Sequence, residues 1–162
     1  MYNKLKIAAE KLGAMLKTKR LTITTAESCT SGWIGSSLAA AKESTTFYNC
    51  GFITYTDHAK YRVLGVAEET LRLHSAVSEA SVKEMACGAK RLSGDDIGIA
   101  VSGYAGPAGG TDGTPAGTVW FAWCLEDGSI RTSRQMFSGD NEQVVLKASL
   151  FSINEMQRFL KE

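Results

Sequence analysis

A run of hydroxyl-bearing and small residues around Ser28 is the segment of the sequence best suited to chemistry. It lies between a predicted strand at residues 21–25 and a predicted helix at residues 32–41, whose apolar stripe includes Trp33 and Leu38. Backbone N–H groups at a helix start stabilise an anion or a developing oxyanion, so Ser28 is a candidate nucleophile if a base lies close. An N-cap role for Ser28 in the next helix is the open alternative. The neighbours that are candidates for contacting a ligand are Glu27, Thr30, Ser31 and Gly32.

The sequence offers no well-placed histidine to act as the base for such a serine. His58 and His74 are the only two histidines, and both stand in polar segments typical of a solvated surface. A serine hydrolase without histidine can use lysine or tyrosine, provided that burial lowers the pKa of the lysine. Tyr55 ends a predicted strand at residues 52–55, and Lys60 follows in a short predicted helix. A solvated helix lysine is the alternative interpretation of Lys60.

Residues 102–117 form a glycine-rich stretch that contains both prolines of the chain. It matches neither the phosphate-binding G-K-[ST] loop nor the dinucleotide-binding G-x-G-x-x-G pattern. Its length without predicted secondary structure favours a functional loop over a plain connection, although a flexible surface loop is the alternative. Glycines let the backbone approach a ligand, and exposed N–H groups can hold phosphate. The candidate substrate contacts here are Ser102, Gly103, Gly106, Gly109 and Gly110.

Helical and strand patterns alternate along the chain and place these segments in one fold. A nearly all-apolar strand at 97–101 is typical of the centre of a parallel sheet, and Asp127-Gly128 indicates a hairpin. Asp57, Ser78 and Asp140 are candidate helix caps. The sequence therefore predicts an α/β protein, a three-layer α/β/α sandwich with a mixed sheet of about five strands, in a single domain at residues 1–162. The remaining predicted elements are helices at 2–18, 57–65, 68–73, 78–91 and 141–160 and strands at 118–125 and 129–137.

The net charge, hydropathy and cysteine content of the chain argue against several classes of protein. A formal net charge of +1 over 162 residues, with no long basic run, predicts no nucleic-acid partner and no attachment to an anionic membrane. No apolar stretch is long enough to span a bilayer, and the N-terminus shows no secretion signal, so we expect a cytoplasmic protein. Four scattered cysteines without zinc spacing indicate free thiols, and we expect neither a metal nor a cofactor. A homo-oligomer is compatible with the sequence.

Taken together, the ordered segments resemble the CinA C-terminal domain family over nearly the whole chain. The segments that carry the resemblance are Thr25-Ala26-Glu27-Ser28-Cys29-Thr30, Gly51-Phe52-Ile53-Thr54-Tyr55 with Ala59-Lys60, Leu64-Gly65-Val66, Ala76-Val77-Ser78-Glu79, Ser102-Gly103 with Ala105-Gly106-Pro107, Gly109-Gly110, Gly117-Thr118-Val119-Trp120 and Phe137-Ser138-Gly139-Asp140.

This resemblance implies an α/β/α fold and the metal-free deamidation of nicotinamide mononucleotide to nicotinic acid mononucleotide and ammonia. By the same resemblance, Ser28 is the nucleophile, and Tyr55 and Lys60 are the residues that activate it. The small-molecule substrate implied is a nucleotide-like carboxamide.

The sequence also departs from the pattern of that family. Ser31 stands where glycine is usual, Thr114 where a lysine is usual, and Asn141 and Val145 where arginines are usual. Since cations that hold an anionic nucleotide are missing, we expect nicotinamide mononucleotide to be a poor substrate. Two functions remain: an amidohydrolase with an altered substrate, or an inactive family member that binds a small molecule or a protein partner.

Overall fold

The computed structural model describes residues 1–162 as six α-helices and five β-strands. The helices are α1 Tyr2–Lys19, α2 Trp33–Ala39, α3 Asp57–Leu64, α4 Glu68–His74, α5 Glu79–Ser93 and α6 Asn141–Leu160. The strands are β1 Ile23–Glu27, β2 Tyr48–Ile53, β3 Ile97–Gly103, β4 Thr118–Cys124 and β5 Ile130–Met136, and a 3₁₀ turn lies at Ser44–Thr46.

The five strands form one mixed sheet in the order β2-β1-β3-β4-β5. β1 is parallel to both of its neighbours, β2 and β3, whereas β4 and β5 form an antiparallel hairpin on the β3 side. The carboxyl ends of the three parallel strands therefore meet at one edge of the sheet. Open α/β sheets bind ligands in the crevice outside such carboxyl ends.

Helices cover both faces of the sheet, as predicted for an α/β/α sandwich. α1, α2 and α6 pack on one face, over a core that includes Leu12, Ile99, Phe121 and Trp123. α5 packs on the other face with α3 and α4 beside it, over a smaller core that includes Met85. No helix is long and apolar enough to cross a membrane.

Several strand boundaries differ from the sequence prediction: β1 runs from Ile23 to Glu27 instead of over residues 21–25, and β2 ends at Ile53 instead of residue 55. β2 begins at Tyr48 instead of residue 52, and β3 runs on to Gly103, so two of the predicted loop residues belong to a strand. Asn49 and Gly51 are unfavourable strand residues. Asn49 is accommodated in β2 because its side-chain amide donates to the Asp95 carboxylate at 3.2 Å.

The predicted helix caps are confirmed except for one. The side chain of Ser78 accepts from the Ser81 amide, and Asp140 accepts from Gln143 in a reciprocal capping box. Asp57 is not a cap, because the Thr56 hydroxyl accepts from the Ala59 amide and Asp57 is the first residue of α3. The shorter threonine side chain lies one position earlier, where the backbone is extended.

Candidate active site

Ser28 lies directly after the buried strand β1, between the two strands that flank it. The Ser28 amide donates to the Val101 carbonyl of β3 at 3.0 Å. On the other side, the Thr54 amide after β2 donates to the Glu27 carbonyl at 2.9 Å. Ser28 itself is 7% exposed. Two neighbouring strands thus hold the backbone of this turn at the carboxyl edge of the sheet.

The Glu27 carboxylate, not Ser28, caps helix α2. One carboxylate oxygen accepts from the Thr30 hydroxyl at 2.6 Å and from the amides of Gly32 and Ile34 at 3.1 and 3.0 Å. The other accepts from the Gly35 amide at 2.8 Å. The N-cap interpretation of Ser28 is therefore wrong. Glu27 is 1% exposed, and its carboxylate accepts four hydrogen bonds from the start of α2.

Lys60 reaches Ser28 from helix α3 and is almost fully buried, with 1% exposure. Its Nζ lies 2.9 Å from Ser28 Oγ. The same nitrogen lies 2.8 Å from the Thr54 carbonyl oxygen and 3.4 Å from the Tyr55 carbonyl oxygen. The solvated interpretation of Lys60 is wrong, because the helix directs this side chain inward beneath the turn.

Burial lowers the pKa of the Lys60 ammonium, against smaller opposing effects of Asp57 and Cys29. No carboxylate is within ion-pairing distance of this nitrogen. A neutral amine has two N–H groups and one lone pair, which match the two carbonyl oxygens and the Ser28 hydroxyl. A protonated Lys60 would donate to all three oxygens, so this geometry fits both protonation states and allows a proton to pass between Ser28 Oγ and Nζ.

A cavity of about 690 Å³ opens above Ser28. Its wall comes from the turn after β1, the segment after β2, the loop after β3 and the first turns of α6. Three aromatic rings line it, and none of the lining residues carries a charged side chain. The thirteen lining residues are Ser28, Cys29, Thr30, Ser31, Trp33, Tyr55, Gly103, Tyr104, Ala105, Gly106, Ala108, Asn141 and Val145.

Two backbone groups in this cavity are free to bind a ligand oxygen. The amides of Cys29 and Thr30 donate no hydrogen bond to another residue of the chain. Both residues line the cavity immediately after Ser28. Backbone N–H groups beside a nucleophile stabilise the oxyanion of an acyl-transfer reaction. The Gly32 amide, which the sequence assigned to a ligand, is instead used by Glu27.

The other predicted site residues are divided between the cavity wall and positions outside it. The Tyr55 side chain lies in the wall and is 64% exposed, with no hydrogen bond from its hydroxyl to Ser28 or Lys60. Among the predicted loop contacts, Gly103 and Gly106 line the cavity, but Gly109, Gly110 and the buried Ser102 do not. An added Cβ at Gly109 would overlap the Thr114 carbonyl, so this glycine serves the folding of the loop.

Sequence reasoning missed several lining residues, among them Trp33, Tyr104 and Cys29. Trp33 was assigned to the buried stripe of α2, whereas it is 37% exposed and lies in the cavity wall. Cys29 adjoins Ser28, and burial raises the pKa of its thiol to about 12. Lys60 Nζ lies 2.9 Å from the Ser28 hydroxyl and makes no hydrogen bond with the Cys29 thiol, so Ser28 is the stronger candidate. His58 and His74 are exposed and away from the cavity, as predicted.

Comparison with known proteins places this arrangement in a family. The family model for the CinA C-terminal domain matches residues 5–160. The chain belongs to the CinA C-terminal domain family. It is 46% identical to Protein YdeJ of Escherichia coli K12 over 92% of this chain and 86% of that protein. It is 44% identical to the nicotinamide-nucleotide amidohydrolase PncC of Enterobacter agglomerans over 93% of this chain and 92% of that protein.

A solved CinA superfamily protein from Klebsiella pneumoniae 700603 has the same fold, with a TM-score of 0.95 and 47% identity. The match covers 97% of this chain and 98% of that one. The α/β sandwich with its mixed sheet is therefore the fold of this CinA domain.

Four residues that depart from the family pattern have defined positions in this CinA domain. Ser31 lies in the cavity wall with a φ of 42°, in the left-handed region that favours glycine. Asn141 and Val145 also line the cavity, and the Asn141 amide donates to the Gly106 carbonyl at 2.7 Å. Thr114 lies in the glycine-rich loop outside the cavity lining.

Proposed function

We propose that this protein is a metal-independent amidohydrolase in which Ser28 is the nucleophile and Lys60 is its base. The observation that carries the proposal is the 2.9 Å contact between Lys60 Nζ and Ser28 Oγ. The cavity opens on the hydroxyl, and the lysine is buried behind it. The named activity of PncC relatives supports a carboxamide, such as that of nicotinamide mononucleotide, as the substrate type.

The reaction follows from the groups present. Lys60 takes the Ser28 proton as Oγ bonds to the carboxamide carbon, and the carbonyl oxygen becomes an oxyanion facing the Cys29 and Thr30 amides. The C–N bond then breaks, and Lys60 returns the proton to the leaving ammonia. A water molecule, deprotonated by Lys60, next attacks the acyl ester. Cleavage of that ester restores the Ser28 hydroxyl and releases the carboxylic acid.

Tyr55 has a different place in this proposal from Lys60. Its hydroxyl makes no hydrogen bond with Ser28 or Lys60, and its ring faces the cavity with those of Trp33 and Tyr104. We assign proton transfer to Lys60 and place Tyr55 against the substrate ring. A Tyr55→Phe variant that loses turnover as completely as a Ser28→Ala variant would return the phenol to the proton-transfer step.

Ammonia release from a panel of carboxamide nucleotides, nucleosides and simple amides tests the proposal. We expect Ser28→Ala to lower kcat by about three powers of ten or more with ligand affinity largely preserved, because the covalent route is lost. Ser36→Ala is the matched control, since Ser36 is exposed on α2 outside the cavity lining. Its kcat should equal that of the wild type.

The alternative is a family member that binds a small molecule or a protein partner without turning it over. The absence of any charged side chain in the cavity lining favours it over unchanged nucleotide chemistry. Normal activity in Ser28→Ala would contradict the nucleophile. A wild-type protein that releases no ammonia from the panel and resists a serine-directed acylating probe would establish the binding role instead.

A further inference from the structure

The surroundings of the cavity decide which carboxamides the proposed active site accepts. On the basis of the proposed function, we infer that the preferred substrate is an aromatic carboxamide that carries no phosphate group. Three observations support this inference: the charge of the wall, the charges around its rim and the rings inside it.

The wall contains no cation. Neither lysine, arginine nor histidine is among the thirteen lining residues. Lys60 lies beneath Ser28, where its nitrogen is engaged by the serine and two carbonyl oxygens. Removing a charge-assisted contact from a bound phosphate weakens binding by about ten- to a hundredfold.

The arginines of the β5 hairpin do not supply the missing charge. Arg131 pairs with Glu162 at 3.3 Å and lies over the Phe159 ring, at the other end of the sheet. Arg134 is opposite Trp120, on the sheet face that α5 covers, and neither arginine lines the cavity. Lys147 of α6 donates to the Ser138 carbonyl at 2.7 Å, outside the lining residues.

Two carboxylates belong to the segments that adjoin the cavity. Asp140 lies in an adjoining cavity that shares Ala105, Gly106 and Asn141 with the first one. Asp112 lies in the glycine-rich loop, where hydrogen bonds from Thr114 lower the pKa of its carboxyl and keep it ionised. A dianionic phosphate would meet these charges without a cationic side chain in the wall to neutralise it.

The loop offers backbone donors that do not require a charged ligand. The amides of Ala105, Gly106 and Ala108 donate no hydrogen bond within the chain. Such N–H groups bind ribose hydroxyl and carboxamide oxygens as well as phosphate. With Trp33, Tyr55 and Tyr104 in the same cavity, the ligand that fits is an aromatic ring, and a pyridinium ring adds a cation–π attraction.

The experiment compares nicotinamide riboside with nicotinamide mononucleotide, which differ only by the phosphate. We expect the wild-type kcat/KM for the riboside to exceed that for the mononucleotide by about tenfold or more. Val145→Arg places a cation in the wall at the start of α6 and should shift the ratio toward the mononucleotide by about tenfold. Val145→Met has a long side chain without charge and should leave the ratio near the wild-type value.

The outcomes separate this inference from the proposed function. Preference of the wild type for the mononucleotide would overturn the inference while leaving the hydrolase proposal intact. Turnover of neither compound, with no ammonia from the rest of the amide panel and no labelling by a serine-directed acylating probe, would overturn the hydrolase proposal. In that case, calorimetric titration of the Ser28→Ala protein with both compounds still measures the preference, and tighter binding of the mononucleotide would overturn the inference.

Discussion

The Lys60 amine has to be neutral to accept the Ser28 proton, and this fixes the pH dependence of turnover. Because burial lowers the pKa of Lys60, a useful fraction of the amine is deprotonated below the ordinary lysine range. We expect kcat/KM to rise with pH up to that lowered pKa and then to level off. A pH–rate profile measured with the best substrate of the amide panel checks this.

Two substitutions of Lys60 distinguish a base from a buried hydrogen-bond donor. Lys60→Met removes the amine, and Lys60→Arg keeps a group that stays protonated. Both should lower kcat by about three powers of ten, and combining either with Ser28→Ala should add little, because the two residues act as a unit. Activity in the arginine variant would show that this side chain only orients the serine.

The same group links stability to alkaline pH. The relevant pH range lies between the lowered pKa of Lys60 in the folded protein and about 10.4, the pKa of a lysine in the unfolded chain. In this range the unfolded chain binds one more proton than the folded protein. The free energy of unfolding therefore rises with pH. The Lys60→Met variant lacks this rise in the free energy of unfolding. The raised pKa of Cys29 gives the opposite slope in both proteins. We therefore expect the stability of the wild type, relative to Lys60→Met, to increase from neutral to alkaline pH in urea unfolding.

At the scale of single elements, helix α2 depends on one buried carboxylate. Glu27→Gln replaces the oxygen that accepts from the Gly35 amide by a donor, and it removes a negative charge from the helix start. We expect a loss of about 2 kcal/mol in the free energy of unfolding. Turnover should also fall, because the turn that carries Ser28 is attached to the same helix. Glu69→Gln, exposed in the first turn of α4, should change stability by less than about 0.5 kcal/mol.

Helix α3, which carries Lys60, is positioned by a close approach to α5. An added Cβ at Gly88 would overlap the Leu64 carbonyl oxygen at the end of α3. Gly88→Ala should therefore destabilise the protein by about 1–3 kcal/mol and displace Lys60 from Ser28. A displacement of about 1 Å can lower a rate by about a hundredfold. Leu92→Ala, exposed on the same helix, is the control for both measurements.

At the scale of the whole molecule, periodicity was enough to predict the sandwich, the mixed sheet and most element bounds. The site was harder to predict from the sequence, because its lining residues come from four separated segments that only the fold brings together. Ser28 and Lys60 are individually ordinary residues, and their pairing depends on the parallel neighbours β1 and β2. Periodicity also assigned Trp33 to the core, since helical spacing does not show where the covering of a helix face ends.

The parallel half of the sheet holds the proposed chemistry, and the hairpin turn at Asp127-Gly128 lies at the far end. At the cavity end of the sheet, Val119 of β4 pairs with Gly103 of β3. At the opposite end, Cys124 pairs with Gly98, and the turn that follows Cys124 is therefore far from the cavity. That turn is therefore suitable for a surface tether or a fusion partner. Six glycine and serine residues inserted between Asp127 and Gly128 should leave kcat/KM within about twofold and cost about 1 kcal/mol in stability. The same insertion between Gly109 and Gly110 should abolish turnover. A protein immobilised through the Asp127-Gly128 turn would therefore stay active, with its cavity facing the solution.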